Sequence, residues 1–202
     1  MKKLFAILTI CLFAMQLQAQ DVALLNRINA TNSQIRSFDA DLDNVLVKPQ
    51  DGTTQQHGKL YYIAPNRFAV QFTTGKYMIV NERRIKMNIG IFNGVYRLRD
   101  GGMMRSLSNI FLYGFQGRVQ DLAEENNYNL TTTTVGNSYV VTGTVKRRQL
   151  LGIGYEKVIF KYHTGSLLLQ EITLIDYSGN VDTYTTSNIQ YDVAVDPSRF
   201  EF

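Results

Sequence analysis

From residue 128 to residue 191 the chain repeats one simple pattern. Short runs of alternating apolar and polar residues, at 128–134, 138–146, 155–163, 167–177 and 181–191, follow one another closely. Three of the gaps carry Gly136-Asn137, Thr164-Gly165 and Ser178-Gly179-Asn180. Gly and Asn tolerate the positive φ that tight hairpins require. A period of two gives each strand one face for a core and one for water. No helix-length pattern separates these runs, so the strands pair antiparallel and βαβ crossovers are excluded.

The first half of the chain reads the same way. Phe38, Ala40, Leu42 and Leu46 share one strand face, with Ser37, Asp39, Asp41 and Asp43 on the other. The stretch "PQDGTTQQHG" reads as a turn, with Pro and Gly as punctuation. Extended runs follow at 59–63, 67–73, 76–92 and 94–100. In 67–73, Phe68, Val70 and Phe72 point one way, and Arg67, Ala69, Gln71 and Thr73 the other. Two segments depart from the pattern. Asp21 to Arg36 places Val22, Leu25, Ile28 and Ile35 at helical spacing, with Asp21 as N-cap. Residues 101–126 carry Met103, Met104, Leu107, Ile110, Phe111 and Phe115 among glycines, and read as one or two short helices on flexible hinges. The predicted class is α+β and mainly β: a large antiparallel sheet, curled by its length, with an N-terminal helix and a helical insertion over its concave face.

The first twenty residues stand apart. Lys2 and Lys3 precede an apolar stretch, Leu4 to Met15, which is too short for an ordinary transmembrane helix. Leu17-Gln18-Ala19 is similar to a signal peptidase site, so residues 1–19 are predicted to be cleaved and 20–202 to form one exported domain. Cys11, the single cysteine, lies inside the apolar stretch rather than at a cleavage point, which argues against a lipid anchor and leaves the mature chain without a disulfide. Loss of Lys2 and Lys3 also lowers the formal charge from +4. No later run is apolar enough to span a membrane, so a soluble periplasmic monomer is expected.

The residues that carry chemistry are scarce. His57 sits in the expected turn and His163 at a hairpin end, with no sequence pattern that gives either a catalytic or metal-binding partner. Asp39, Asp41 and Asp43 share a strand face, but Asn44 and Gln50 stand where a calcium loop wants Gly and Glu. Nucleophile elbows, phosphate loops and dinucleotide fingerprints are all missing. No enzyme, metal or cofactor is expected. Arg83-Arg84 with Lys86, Arg97 with Arg99, and Lys146-Arg147-Arg148 read as turns and solvated faces. Aromatics do not interleave with them as nucleic-acid binding requires. If functional, these patches suit anionic lipid headgroups or an acidic partner protein.

Several segments, in order, resemble the LolA family of periplasmic lipoprotein carriers. They are "INATNSQIRSFDADL", "GKLYYIAPNRFAVQF" with Gly58, Leu60, Ile63, Pro65 and Phe68, "YMIVNERRIKMN", and the closing "SRFEF" after Asp196. The resemblance implies a half-open, strongly curved antiparallel barrel whose apolar interior takes the acyl chains of lipoproteins. It implies an inner-membrane lipoprotein-releasing ABC transporter as donor and an outer-membrane acceptor. The cavity wall is then expected from Phe68, Val70, Phe72, Met87, Ile89, Ile91, Val158, Phe160, Ile172 and Leu174. The lid is expected from Met103, Leu107, Ile110, Phe111 and Phe115, and Phe111→Asp is expected to abolish lipid uptake with the sheet still folded. Ala64 stands where the best-studied members place a lid-locking arginine, and the family's tryptophans are missing. The alternative is an envelope sensor or interaction domain on the same fold.

Overall fold

The computed structural model describes residues 21–89, 92–100, 102–146 and 154–202. The predicted signal segment and cleavage site, together with Ile91, Arg147 and Arg148, lie outside the described residues.

Eleven strands form one antiparallel sheet. The first six are β1 (Ser37–Lys48), β2 (Gly52–Ile63), β3 (Arg67–Phe72), β4 (Tyr77–Asn81), β5 (Arg84–Ile89) and β6 (Phe92–Arg97). The last five are β7 (Tyr128–Val135), β8 (Ser138–Val145), β9 (Tyr155–His163), β10 (Leu169–Asp176) and β11 (Val181–Tyr191). Their spatial order is β6-β5-β4-β3-β2-β1-β11-β10-β9-β8-β7. Each half of the chain is thus a meander, and the halves join where β1 pairs with β11. The sheet is not closed: β6 and β7 are opposite edges. Between those edges in sequence lie α2 (Met103–Gln116) and α3 (Val119–Asn126). The chain must therefore cross the open side of the sheet, and the insertion is a cover by topology as well as by amphipathicity.

Register explains the inner face. Phe38, Tyr62, Phe68, Val80 and Ile85 stand opposite one another across five adjacent strands. Ala40, Leu60, Val70, Met78 and Met87 form the next row. In the other half, Val141, Phe160 and Ile172 line up, as do Val158 and Leu174. All of these belong to one buried core with Phe111 and Phe115 of α2 and Val119 and Leu122 of α3. Cross-strand apolar pairs of this kind are the unit of sheet stabilisation.

Three sequence expectations are corrected. The N-terminal helix, α1 (residues 21–32 of those described), ends at residue 32 rather than 36, and Val22 is exposed. Asn32 ends it by turning its amide onto the carbonyls of Ile28 (2.8 Å) and Leu167 (2.7 Å). Residues 52–57 are strand, not turn, because β1 continues beside them and supplies their backbone partners. His57 therefore lies in β2, and its ring nitrogen meets Asp43 across the strands. The 76–92 run divides into two strands at a turn holding Glu82 at φ 55°.

A second, smaller core lies on the outer face. Tyr61, Ala69 and Ile79 are covered there by Phe200, which is 1% exposed. Phe200 sits in a short 3-10 turn, Pro197–Phe200, opened by Asp196, whose carboxylate accepts from the Ser198 backbone N–H at 2.9 Å. Ala69 is thus buried, and β3 is covered on both faces, although the sequence pattern assigns the Ala69 face to solvent.

Candidate ligand pocket at the helical insertion

The two halves of α2 have different surroundings. Its C-terminal half is anchored. Phe111 stacks near Phe68 with centroids 5.5 Å apart and meets Tyr184 edge-on at 5.0 Å. Phe115 packs edge-on against Phe38 (5.3 Å) and Tyr62 (5.6 Å). Such aromatic pairs add about 0.5–1.5 kcal/mol each beyond area burial. Tyr162, buried in the sheet, donates its hydroxyl to the Gly114 carbonyl at 2.9 Å. Gln116 donates to the Pro65 carbonyl and to the Tyr62 hydroxyl (3.3 Å).

Two glycines expected as hinges serve close approach. A Cβ on Gly114 would lie 2.8 Å from the Phe160 ring, so the helix can sit this near β9 only without a side chain there. Gly117 ends α2 at φ 67° against the Ile28 carbonyl of α1.

The N-terminal half of α2 is open. Met103, Met104, Leu107 and Ile110 wall a pocket of about 300 Å³, whose other side is built by Phe92, Tyr128, Val145, Tyr155 and Tyr177. Met103 is 42% exposed, while Ile110 is fully buried. Methionines on a half-exposed helix face adapt to varied apolar shapes. The rim is polar, with Asn126 and Asp176. Tyr128 donates to the Tyr155 carbonyl at 3.1 Å, and burial pushes its phenol up to about 12. Burial, aided by the nearby Asp182 carboxyl, raises Tyr155 as well. These phenols are neutral at any ordinary pH and present rings to the pocket.

The expected wall residues are distributed unevenly. Phe68, Val70, Phe72, Met87, Val158, Phe160, Ile172 and Leu174 are buried on the concave face, and Ile89 is half-buried. Ile91 lies outside the described residues. Under the middle of α2 the space between sheet and helix is a void of only about 10 Å³, lined by Leu60, Val70, Phe111, Phe115 and Ile172 among others. That is barely one water. The open volume adjoins Met103, Leu107 and Ile110 instead, three of the five expected lid residues. Phe111 and Phe115 belong to the core, so the expectation that Phe111→Asp spares the fold is revised: a charge there would be buried at a site 2% exposed. Sequence reasoning missed Phe92, Tyr128, Val145 and Tyr155 as pocket residues. They come from the two sheet edges, β6 and β7, and from the two strands next to β7, and nothing local in the sequence says that the edges face each other.

A half-buried carboxyl completes the concave face. Asp182 accepts from Asn44 Nδ2 (2.5 Å) and from the Tyr184 hydroxyl (2.8 Å). Burial raises its pKa, and the two hydrogen bonds oppose that rise. Among the described residues no cluster of three or more His, Cys, Asp or Glu side chains is placed to hold a metal ion. No helix among them is long and apolar enough to cross a membrane.

No family model matches the chain, and no curated protein matches it in sequence. Solved structures do match. MucB is 14% identical, with 91% of this chain covering 63% of the MucB chain at a TM-score of 0.51. A chain of the Pseudomonas aeruginosa MucA/MucB complex is 11% identical, over 89% of this chain and 60% of that one, at 0.50. A LolA superfamily protein from Nitrosomonas europaea is 11% identical, over 87% of this chain and 95% of that one, at 0.41. These likenesses, all at low identity, are of fold alone.

Proposed function

We propose that this chain is a non-catalytic periplasmic carrier, which shelters the acyl chains of lipoproteins between the inner and the outer membrane. The observation that supports it is the asymmetry of α2. One half is riveted to the sheet by Phe111, Phe115 and Gln116, and the other is a methionine-bearing flap over an apolar pocket. A carrier needs both a frame that stays folded and an apolar site that opens without unfolding it. Burying an acyl chain yields about 0.8 kcal/mol per methylene, so a chain of a dozen contributes on the order of 10 kcal/mol. Contacts of this kind are not directional, which suits variable chains and leaves release to an acceptor that binds at least as well. The partners are acylated lipoproteins as cargo, an inner-membrane lipoprotein-releasing ABC transporter and an outer-membrane acceptor. The signal-like first residues fit an exported protein.

The test is native mass spectrometry of the protein purified from its own envelope fraction, with a fluorescent fatty acid titration alongside. The carrier reading expects bound acylated lipoprotein or phospholipid, and probe uptake that Leu107→Asp weakens at least tenfold. A clean apo mass with no probe uptake would overturn it.

A second reading is an envelope interaction domain. The likeness in fold to MucB, which forms a complex with MucA, favours it. It predicts a stable protein partner recovered by crosslinking in cells, at fixed stoichiometry and without lipid.

A further inference from the structure

The face of α2 away from the apolar pocket borders a different cleft, of about 460 Å³. Its walls come from the β2–β3 loop (residues 64–66) with Arg67 at the start of β3, the β4–β5 turn (Glu82 and Arg83), Leu98, α2 itself, and Arg118 at the start of α3. The backbone fixes this arrangement: Glu82 N–H donates to Asn66 O at 3.0 Å, and Leu98 N–H to Arg83 O at 2.8 Å. Four guanidinium groups line the cleft, those of Arg67, Arg83, Arg105 and Arg118, against the single lining carboxylate of Glu82. They differ in how far they are already engaged. Arg118 is ion-paired to Asp121 at 2.5 Å and stacks on Tyr113 at 4.8 Å. Arg67 lies 5.8 Å over the Phe200 ring. Arg83 and Arg105 make no ion pair among the described residues.

We infer that this cleft is a binding site for a phosphate dianion, free or as a monoester. A concave site of this volume is the size that small ligands use. Guanidinium groups present planar, paired donors that match phosphate oxygens, and they are more weakly hydrated than lysine ammonium groups. A carboxylate would need only one such fork. Arg83 and Arg105, with Arg67 beside them, offer more positive charge than a monoanion can use, and a phosphate monoester of nearly two charges balances it. Arg67 opens β3 and Arg83 lies in the turn between β4 and β5, both held by strand pairing, so this part of the cationic wall is preformed. The phosphate could be free or the headgroup of a lipid; the chemistry of recognition is the same. The inference stands apart from the carrier reading, because it does not use the apolar pocket: Arg105 is on the flap, but on the face turned to the other cleft.

The experiment is calorimetric titration of the full chain at low salt with inorganic phosphate, with short-chain phosphatidic acid below its micelle concentration, and with short-chain phosphatidylcholine. NMR shifts are followed at the guanidinium groups. The expected result is binding of phosphatidic acid, loss of at least tenfold in R83A/R105A, and partial recovery in R83K/R105K. Uptake of an acyl probe and the thermal midpoint should stay unchanged in R83A/R105A. Binding of inorganic phosphate as well would assign recognition to the phosphate alone. Phosphatidic acid binding without it would assign the headgroup in its lipid setting. Three results would overturn the inference. One is no binding of either phosphate probe, another is equal binding of phosphatidylcholine, and the third is binding undiminished in R83A/R105A. Binding of an Asp/Glu-rich peptide with none of phosphate would replace it with an acidic-protein site.

Discussion

The side-chain amide of Gln116, in the last turn of α2, donates to the backbone carbonyl of Pro65 in the β2–β3 loop. The same amide reaches the Tyr62 hydroxyl at 3.3 Å. The helix is thereby tied to the position next to Ala64, where the LolA resemblance leads one to look for an arginine. The tether is present, but it comes from the helix side and carries no charge. Gln116→Leu should destabilise the fold by about 1–3 kcal/mol, since Tyr62 and Pro65 would lose a buried partner. Urea unfolding followed by circular dichroism reads this directly. If the tether also restrains the flap, the variant should take up a fluorescent fatty acid faster than the wild type.

Phe111 touches both meanders, through Phe68 on β3 and Tyr184 on β11. Phe111→Ala should cost about 3–5 kcal/mol, the usual range for a buried phenylalanine. The denaturant midpoint should fall with little change in slope. A loss below 1 kcal/mol would mean that α2 does not rest on the sheet in solution.

The C-terminal clasp should matter to stability although it is far from the pocket. Phe200 covers Tyr61, Ala69 and Ile79, and its carbonyl accepts from Asn81 Nδ2 at 3.1 Å. Arg199 stacks 4.1 Å over Tyr61, and Arg84 lies 5.0 Å over Phe202. Phe200→Ala is expected to lower stability by about 3–5 kcal/mol and to leave acyl-probe affinity unchanged once the protein is folded. Loss of affinity at temperatures where the variant stays folded would contradict this separation.

Alkaline pH should unfold the protein through its tyrosines. Burial pushes Tyr128 and Tyr191 up to about 12, and raises Tyr155, Tyr162 and Tyr184 as well. In the unfolded chain each of these phenols ionises near its ordinary value of about 10. Between the two values the folded state holds protons that the unfolded state has lost, so stability falls as pH rises. The contribution is fully present below about pH 10. A pH titration should show phenolate absorbance from these residues appearing together with loss of the circular dichroism signal. Smooth ionisation within a folded protein would contradict it.

Much of the sheet is legible in the sequence because its turns are chemically explicit. Gly136 and Gly179 do take positive φ, at 55° and 79°, where the hairpins were placed. Residues 52–57 were missed because Thr, Gln and His carry no apolar alternation; pairing with β1 makes them a strand. The outer core escaped because its cover, Phe200, is remote in sequence from Tyr61 and Ala69. A single alternating strand cannot announce that its polar face is also capped. Helical spacing found the apolar face of α2, yet spacing alone cannot separate residues that plug a core, such as Phe111, from those that wall a pocket, such as Leu107. That distinction depends on how far the two sheet edges stand apart, which is a property of the whole sheet.

The strand order carries one more consequence. The first and last strands of the sequence are neighbours in the middle of the sheet, and the edges belong to its centre. In terms of connectivity, the molecule is two hairpin ladders spliced at the ends of the chain, with the helical segment as the only covalent link between their far sides. A cut in that segment severs no ladder. The two fragments it produces should each retain a meander and reassemble along the β1–β11 seam, and a circularly permuted chain opened there should keep every strand pairing of the parent.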